Sequence, residues 1–265
     1  MIEMTEQEIV KHINDGAKHY IRMFAHAEHM ETYEKEYYSY IKPKEGEHGI
    51  GFVYDIKIEN LSKEKQQKLV EEIKELQMPI WLDLDASDDV FQMVFGREKV
   101  HGQTMFAEED EIYMAVSAEE WLTLKASHDK QGIKQSVEVI KVNSAEKFAI
   151  WAKINNDVLA GGYADLHSVY NYPLCEKGLL NCYIAYSGNE PVAIASIMNN
   201  EGVSSLEFVA TVPKMRQKGF AKAACERAVE EAFTDGAKII TVRAANLSAG
   251  KLYEKIGFKA YNYVI

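Results

Sequence analysis

Apolar side chains recur at helical spacing over residues 5–40, where Ile9, Ile13, Ala17, Tyr20 and Ile21 follow Thr5-Glu-Gln-Glu8. That opening is a capping box, in which Thr5 and Glu8 each satisfy the other's backbone N–H. The segment is predicted to be mostly helix. Alternation at period two then takes over: Ile50, Phe52, Tyr54, Ile56 and Ile58 share one face of a strand over 49–58. Ser62 starts an amphipathic helix to about Leu76. Residues 79–84 (PIWLDL) read as a short strand, and 87–95 as a helix stopped by Gly96. Two further strands are predicted near 102–107 and 112–116.

Residues 127–135 (SHDKQGIKQ) are polar, contain a glycine and lack an apolar period, so they are the expected linker between two units, 1–130 and 136–265. Beyond it the pattern predicts a strand over 137–142 and a helix capped by Asn143. A loop rich in Gly and Tyr follows over 160–172, then a hairpin turning at Ser187-Gly188-Asn189. A strand over 204–212 is stopped by Pro213. A helix over 219–233, a strand over 239–244, a helix over 248–256 closed by Gly257, and a last strand complete the chain. This order is mixed α/β. Strand, helix, strand, helix, strand runs through both halves, at 52–95 and at 204–256, an echo of element order rather than of residue identity.

Composition narrows the function classes. The 265 residues carry 30 Lys and Arg against 41 Asp and Glu, a net charge of −11. A chain this acidic is a poor match for nucleic acid, whose binding needs clustered cations. The charge is uneven: residues 1–135 hold 16 basic and 28 acidic side chains, residues 136–265 hold 14 and 13. Only the near-neutral half accepts an anion without long-range repulsion. No apolar run has the length of a membrane span, and no basic stretch followed by an apolar one opens the chain. Cys175, Cys182 and Cys225 make neither a Cys-x-x-Cys pair nor an even set, so reduced thiols and a cytoplasmic location are expected. His12, His19, His26 and His29 lack a completing carboxylate or thiol pattern. The Asp83, Asp85, Asp88, Asp89 run lacks a calcium-loop pattern. No metal is expected.

The chemistry is concentrated after Leu206. A buried strand runs into Pro213, then a short loop, then a helix beginning near Gly219. A helix start leaves N–H groups unpaired and carries partial positive charge. Gly219 and Ala221 let an anion approach the backbone, and Arg216, Lys218 and Lys222 add charge beside it. Those features make a diphosphate cradle on physical grounds alone.

The spacing Arg216-x-x-Gly219-x-Ala221 resembles the acetyl-CoA pyrophosphate loop of the GNAT superfamily of N-acetyltransferases. A second segment, Asn246-x-x-Ala249-x-x-Leu252-Tyr253 with Gly257-Phe258, is similar to another motif of that family, one helix and one strand downstream. Thr211 stands where valine is usual. The resemblance covers about half the chain. It implies two GNAT-like units, the first a degenerate copy without the cofactor loop, each with a mixed, mostly antiparallel sheet flanked by helices. It also implies direct acetyl transfer from acetyl-CoA to a primary amine of a small molecule or peptide. The pantetheine arm would pair with backbone groups of Val209, Ala210, Thr211 and Val212. The diphosphate would lie on Arg216, Gln217, Lys218, Gly219, Phe220 and Ala221, and Asn246 would contact the cofactor or cap its helix. Tyr253 would protonate the leaving thiolate, and Glu207, placed with Thr211 on one face by their spacing, would be the base. Asp165, His167, Tyr170 and Tyr172 would wall the acceptor site. A different class, a non-catalytic acyl-CoA-binding sensor or scaffold, fits the same loop.

Overall fold

The computed structural model describes residues 4–98, 111–130, 137–160, 171–200 and 202–261. The chain divides into two units, Met1–Thr104 with Tyr263–Ile265, and Met105–Asn262.

The first unit opens with α1 (Glu6–Arg22), capped by the Thr5–Glu8 box that the sequence predicts. Helix ends at Arg22 rather than near residue 40. A 3₁₀ turn leads into β1 (Met30–Glu34), β2 (Ser39–Pro43) and β3 (Phe52–Tyr54), an antiparallel sheet in that order. The helical reading failed here because Thr32, Tyr33, Tyr38, Tyr40 and Ile41 favour a pleated, half-buried surface. Tyr33 stacks on Tyr40, the residue directly across from it, with ring centres 4.6 Å apart. The chain then runs through α2 (Lys63–Glu75) and returns parallel to β3, where Ile80 bridges Val53, before α3 (Asp88–Phe95). Val53, Ile58, Val70, Ile73 and Leu82 build this unit's core. The strand expected at 102–107 lies outside the described residues.

The second unit holds a seven-stranded sheet. Its strands, in chain order, are β4 (Ile112–Ser117), β5 (Glu138–Lys141), β6 (Leu180–Ser187), β7 (Glu190–Asn200), β8 (Val203–Thr211), β9 (Ile239–Ala244) and β10 (Lys259–Ala260). Their spatial order is β10-β4-β9-β8-β7-β6-β5. All neighbours are antiparallel except β8 and β9. The helices are α4 (Ala118–Lys130), α5 (Ala145–Asn155), α6 (Tyr172–Glu176), α7 (Phe220–Thr234) and α8 (Leu247–Glu254). α5 is capped by Ser144, whose oxygen accepts from Lys147 N, and not by Asn143.

Two expectations about the boundary change. β4 pairs with β9 along its whole length, Ile112 opposite Ala244 through Ser117 opposite Ile239. It therefore belongs to the second unit's sheet, and the division falls between residues 104 and 105 rather than at 130–136. Residues 127–130, read as linker, continue α4. Strand pairing is a long-range property, and local polarity does not report it.

The echo of element order survives in the pairing. Each unit has a helix, three antiparallel strands, a helix, and a return parallel to the third strand. A residue at positive φ marks that third strand in both: Asp55 at 54° just after β3, and Phe208 at 52° inside β8.

Candidate active site

β8 is the element from which the site is built. Opposite β7, Ser196 faces Glu207 and Ile194 faces Ala210, so β8 spends one residue more than its partner. This is a β-bulge, and Phe208 takes the strained positive φ within it. The Trp151 ring on α5 makes a T-shaped contact with Phe208 at 5.6 Å between centres, and Trp151 is fully buried, so packing holds the strained residue in place.

The bulge has two consequences. On its other side β8 pairs with β9 only from Val203–Ile239 to Leu206–Val242; past Leu206 the strands part. Backbone of Glu207 to Thr211 thereby faces a gap rather than a ladder. The bulge also reverses side-chain alternation. Thr211 lies opposite Ala193, a member of the main core cluster, while Glu207 lies opposite Ser196. The two do not share a face as their spacing predicts.

The chain leaves β8 through Val212, whose N–H donates to Val192 O, and a 3₁₀ turn over Pro213–Met215. Gln217 at φ 60° and Gly219 at φ 86° then turn it into α7. Gly219 is the N-cap, and no side chain caps this end. The first N–H groups of a fifteen-residue helix are thus left to an outside acceptor. A Cβ at Gly219 would meet nothing within 4 Å, so the space over the turn is open and glycine is needed for its backbone angle.

The cations around this end differ. Lys222 is paired with Glu226 at 2.7 Å and Lys214 with Glu190 at 2.6 Å. Arg216 donates through Nε to Thr211 O, at 3.3 Å, and Lys218 contacts only the Met215 sulfur, so neither is neutralised by a carboxylate among the described residues. Arg216 and Lys218 carry the positive field of the loop.

Glu207 lies on a face crossed by polar groups. Arg243 on β9 approaches it at 3.9 Å and sits opposite Tyr113, whose hydroxyl donates to Glu111. Burial raises the Glu207 carboxyl above the ordinary range, and attraction to Arg243, with a smaller contribution from the nearby Ser205 hydroxyl, only partly offsets it. Arg243 is the residue that sequence reading missed. Its signal was a charge in an otherwise apolar strand, two residues from Thr241 and on the same face.

A raised carboxyl has a defined effect on stability. The unfolded state ionises first as pH rises, so Glu207 costs stability above the ordinary carboxylate range and costs none below it. Glu207→Gln is therefore expected to raise the melting temperature at pH 8 and to leave it unchanged near pH 4. A lowered melting temperature at pH 8 in thermal denaturation would show that the pair with Arg243 outweighs burial.

Tyr253 is buried on α8 in the main core cluster, its ring 5.9 Å from that of Phe258. Burial, then the Cys225 thiol and the Glu207 carboxylate, push its hydroxyl well above the usual phenol value. Its proximity to Glu207 brings the two expected catalytic groups into one electrostatic neighbourhood. Asn246 is the N-cap of α8 and accepts from Ala249 N at 2.9 Å, so its oxygen is committed to the cap. Tyr172 opens α6, with its ring 6.3 Å from Phe148. Asp165, His167 and Tyr170 lie outside the described residues. A polar cleft of about 350 Å³ lined by Lys141, Asn181, Asn199 and Asp235 lies at the far end of α7 and takes no part in this arrangement.

No group of three or more potential metal ligands occurs among the described residues, and no helix there is long and apolar enough to cross a membrane.

Comparison with known proteins agrees with this geometry. Residues 143–258 match the model of the Acetyltransferase (GNAT) family. No curated protein sequence matches the chain. Its fold is similar to that of a GCN5-related N-acetyltransferase from Kribbella flavida, with a TM-score of 0.61 at 14% identity, over 95% of this chain and 93% of that one. It is similar also to a GCN5-related N-acetyltransferase-like protein from Streptococcus suis 89/1591, with a TM-score of 0.51 at 14% identity, over 96% and 97% of the two chains. A functionally unknown conserved protein from Staphylococcus epidermidis ATCC 12228 gives 0.51 at 10% identity, over 81% and 82%. The whole-chain likeness shows the shared fold, and the matched segment contains β8, the Arg216–Ala221 loop and Tyr253. Residues 143–258, somewhat less than half of the chain, are thus similar to the Acetyltransferase (GNAT) family.

Proposed function

We propose that the second unit transfers an acetyl group from acetyl-CoA to a primary amine of a small molecule or peptide, by direct attack with both substrates bound. The observation that carries this reading is the combination on β8: a bulge that opens the strand from β9, running straight into an uncapped helix N-terminus flanked by Arg216 and Lys218. Acetyl-CoA supplies an activated thioester and a diphosphate. The N–H groups at the start of α7, with Gln217, Lys218 and Arg216, hold the diphosphate. The backbone of Val209 to Val212 takes the extended arm, and the amide of Asn246 is a further contact.

Glu207, its carboxyl raised above the ordinary range by burial, takes a proton from the ammonium form of the acceptor, directly or through water. Tyr253 keeps its proton across the working range and delivers it to the departing sulfur. A thiolate forming in the same low-dielectric surroundings is raised by the same desolvation, so donor and acceptor values move together. Tyr172, with Asp165, His167 and Tyr170, belongs to the acceptor side. The first unit is a degenerate copy of the same fold, and its negative charge favours a cationic acceptor, such as a polyamine. The chain works in the cytoplasm without a metal.

Release of free CoA thiol in the presence of a panel of amines tests this. Cationic primary amines are expected to turn over faster than neutral ones at low salt, with the preference fading as salt is added. Micromolar acetyl-CoA binding with no thiol release from any amine would instead favour a non-catalytic sensor.

A further inference from the structure

Two of the three cysteines stand together. Cys175 on α6 and Cys182 on β6 have their sulfurs 3.9 Å apart. The approach is built in locally. Gly178, at φ 69°, turns the chain back, with Gly178 N donating to Cys175 O and Leu179 N to Leu174 O, and buried Leu174 pins α6 to the sheet. The two thiols differ in access: Cys175 is partly exposed, and Cys182 is fully buried behind it. They differ also in ionisation. The hydrogen bond with Cys182 holds the Cys175 thiol below its usual value against burial and Glu176, with Lys141 assisting; burial pushes Cys182 up. The exposed sulfur is the nucleophile of the pair.

Cys182 also touches the face that carries Glu207. It lies opposite Ser196, whose hydroxyl contacts its sulfur at 3.5 Å, and Ser196 lies opposite Glu207 on the next strand. α6 begins at Tyr172, on the expected acceptor side.

We propose that Cys175 and Cys182 are a redox modification site that closes to a reversible disulfide and slows acetyl transfer by shifting α6 and the Cys182–Ser196–Glu207 row; the effect on transfer rests on the function proposed above. With a hydroperoxide as oxidant, the Cys175 thiolate attacks the peroxide oxygen. An S–O bond forms, the O–O bond breaks, and the leaving hydroxide takes a proton to become water. Cys182 then attacks the Cys175 sulfur, giving up its proton as the S–S bond forms and the S–O bond breaks, and a second water leaves. The sulfurs together lose two electrons and the peroxide gains them. A dithiol reductant reverses the change.

The test treats the full chain with stoichiometric hydrogen peroxide. The product is expected to be lighter by two hydrogens in intact mass. Trypsin cuts after Lys177, between the two cysteines, so its peptides are expected to stay joined through Cys175 and Cys182 until reduced. Acetyl transfer by the oxidised chain is expected to fall about tenfold, because small displacements of positioned groups cost that much or more. In Cys175→Ser neither the link nor the loss should appear. A map in which Cys175 carries added oxygen and no joined peptide forms overturns the proposal, as does a joined form that transfers as fast as the reduced one. If the reduced chain transfers to no amine, the functional reading fails, and the peptide map still decides the disulfide.

Discussion

Replacing Tyr253 by phenylalanine is expected to slow acetyl transfer about a hundredfold while leaving acetyl-CoA affinity unchanged. The substitution removes one oxygen from a ring that keeps its place beside Phe258 in the core. The apolar contacts of the ring in the core cluster are kept, so the melting temperature should hold. What is lost is a proton held near the departing sulfur, and a positioned acid is worth about 10²–10⁴ in rate. The effect should fall on kcat, since the proton matters only as the thioester bond breaks. Single-turnover measurement with saturating acetyl-CoA reads this directly. An unchanged rate would make Tyr253 a packing residue and move the acid elsewhere.

The second large effect is expected at the loop. Gly219→Val should weaken acetyl-CoA binding about 10- to 100-fold, because a β-branched residue at φ 86° costs about 1–3 kcal/mol. A Cβ there meets open space, so the cost is backbone strain and not collision. The loop is exposed and can relieve that strain by rotating, which turns the first N–H groups of α7 away from a bound diphosphate. Thermal stability should change little while calorimetric affinity falls. Unchanged affinity would show that this turn does not bind the diphosphate. The opposite pattern, lost stability with intact binding, would make Gly219 structural only.

How far the sequence carried these conclusions depends on the range of the interaction involved. The Pro213 stop, the glycine at the start of α7 and the capping asparagine of α8 act within a few residues, and each is legible from spacing alone. The bulge at Phe208 is not. It adds one residue against a partner strand that the sequence does not identify, and it reverses the facing of Thr211 relative to Glu207. Arg243 becomes meaningful only once β9 is known to run parallel to β8. The place of β4 between β9 and β10 is likewise set by pairing across more than a hundred residues. In the first unit, the tyrosines of β1 and β2 were read as helix because their aromatic positions can be fitted to more than one period. Acidic composition, by contrast, needed no structure to argue against nucleic acid.

The central claim is that the opening between β8 and β9, with the start of α7, holds acetyl-CoA. A crystal structure of the full chain with CoA tests it most directly. The account expects the diphosphate within hydrogen-bond reach of the N–H groups of Gly219, Phe220 and Ala221, and the arm running along Val209 to Val212. CoA seated at any other place on the chain, with the Arg216–Ala221 turn left to solvent, would contradict it.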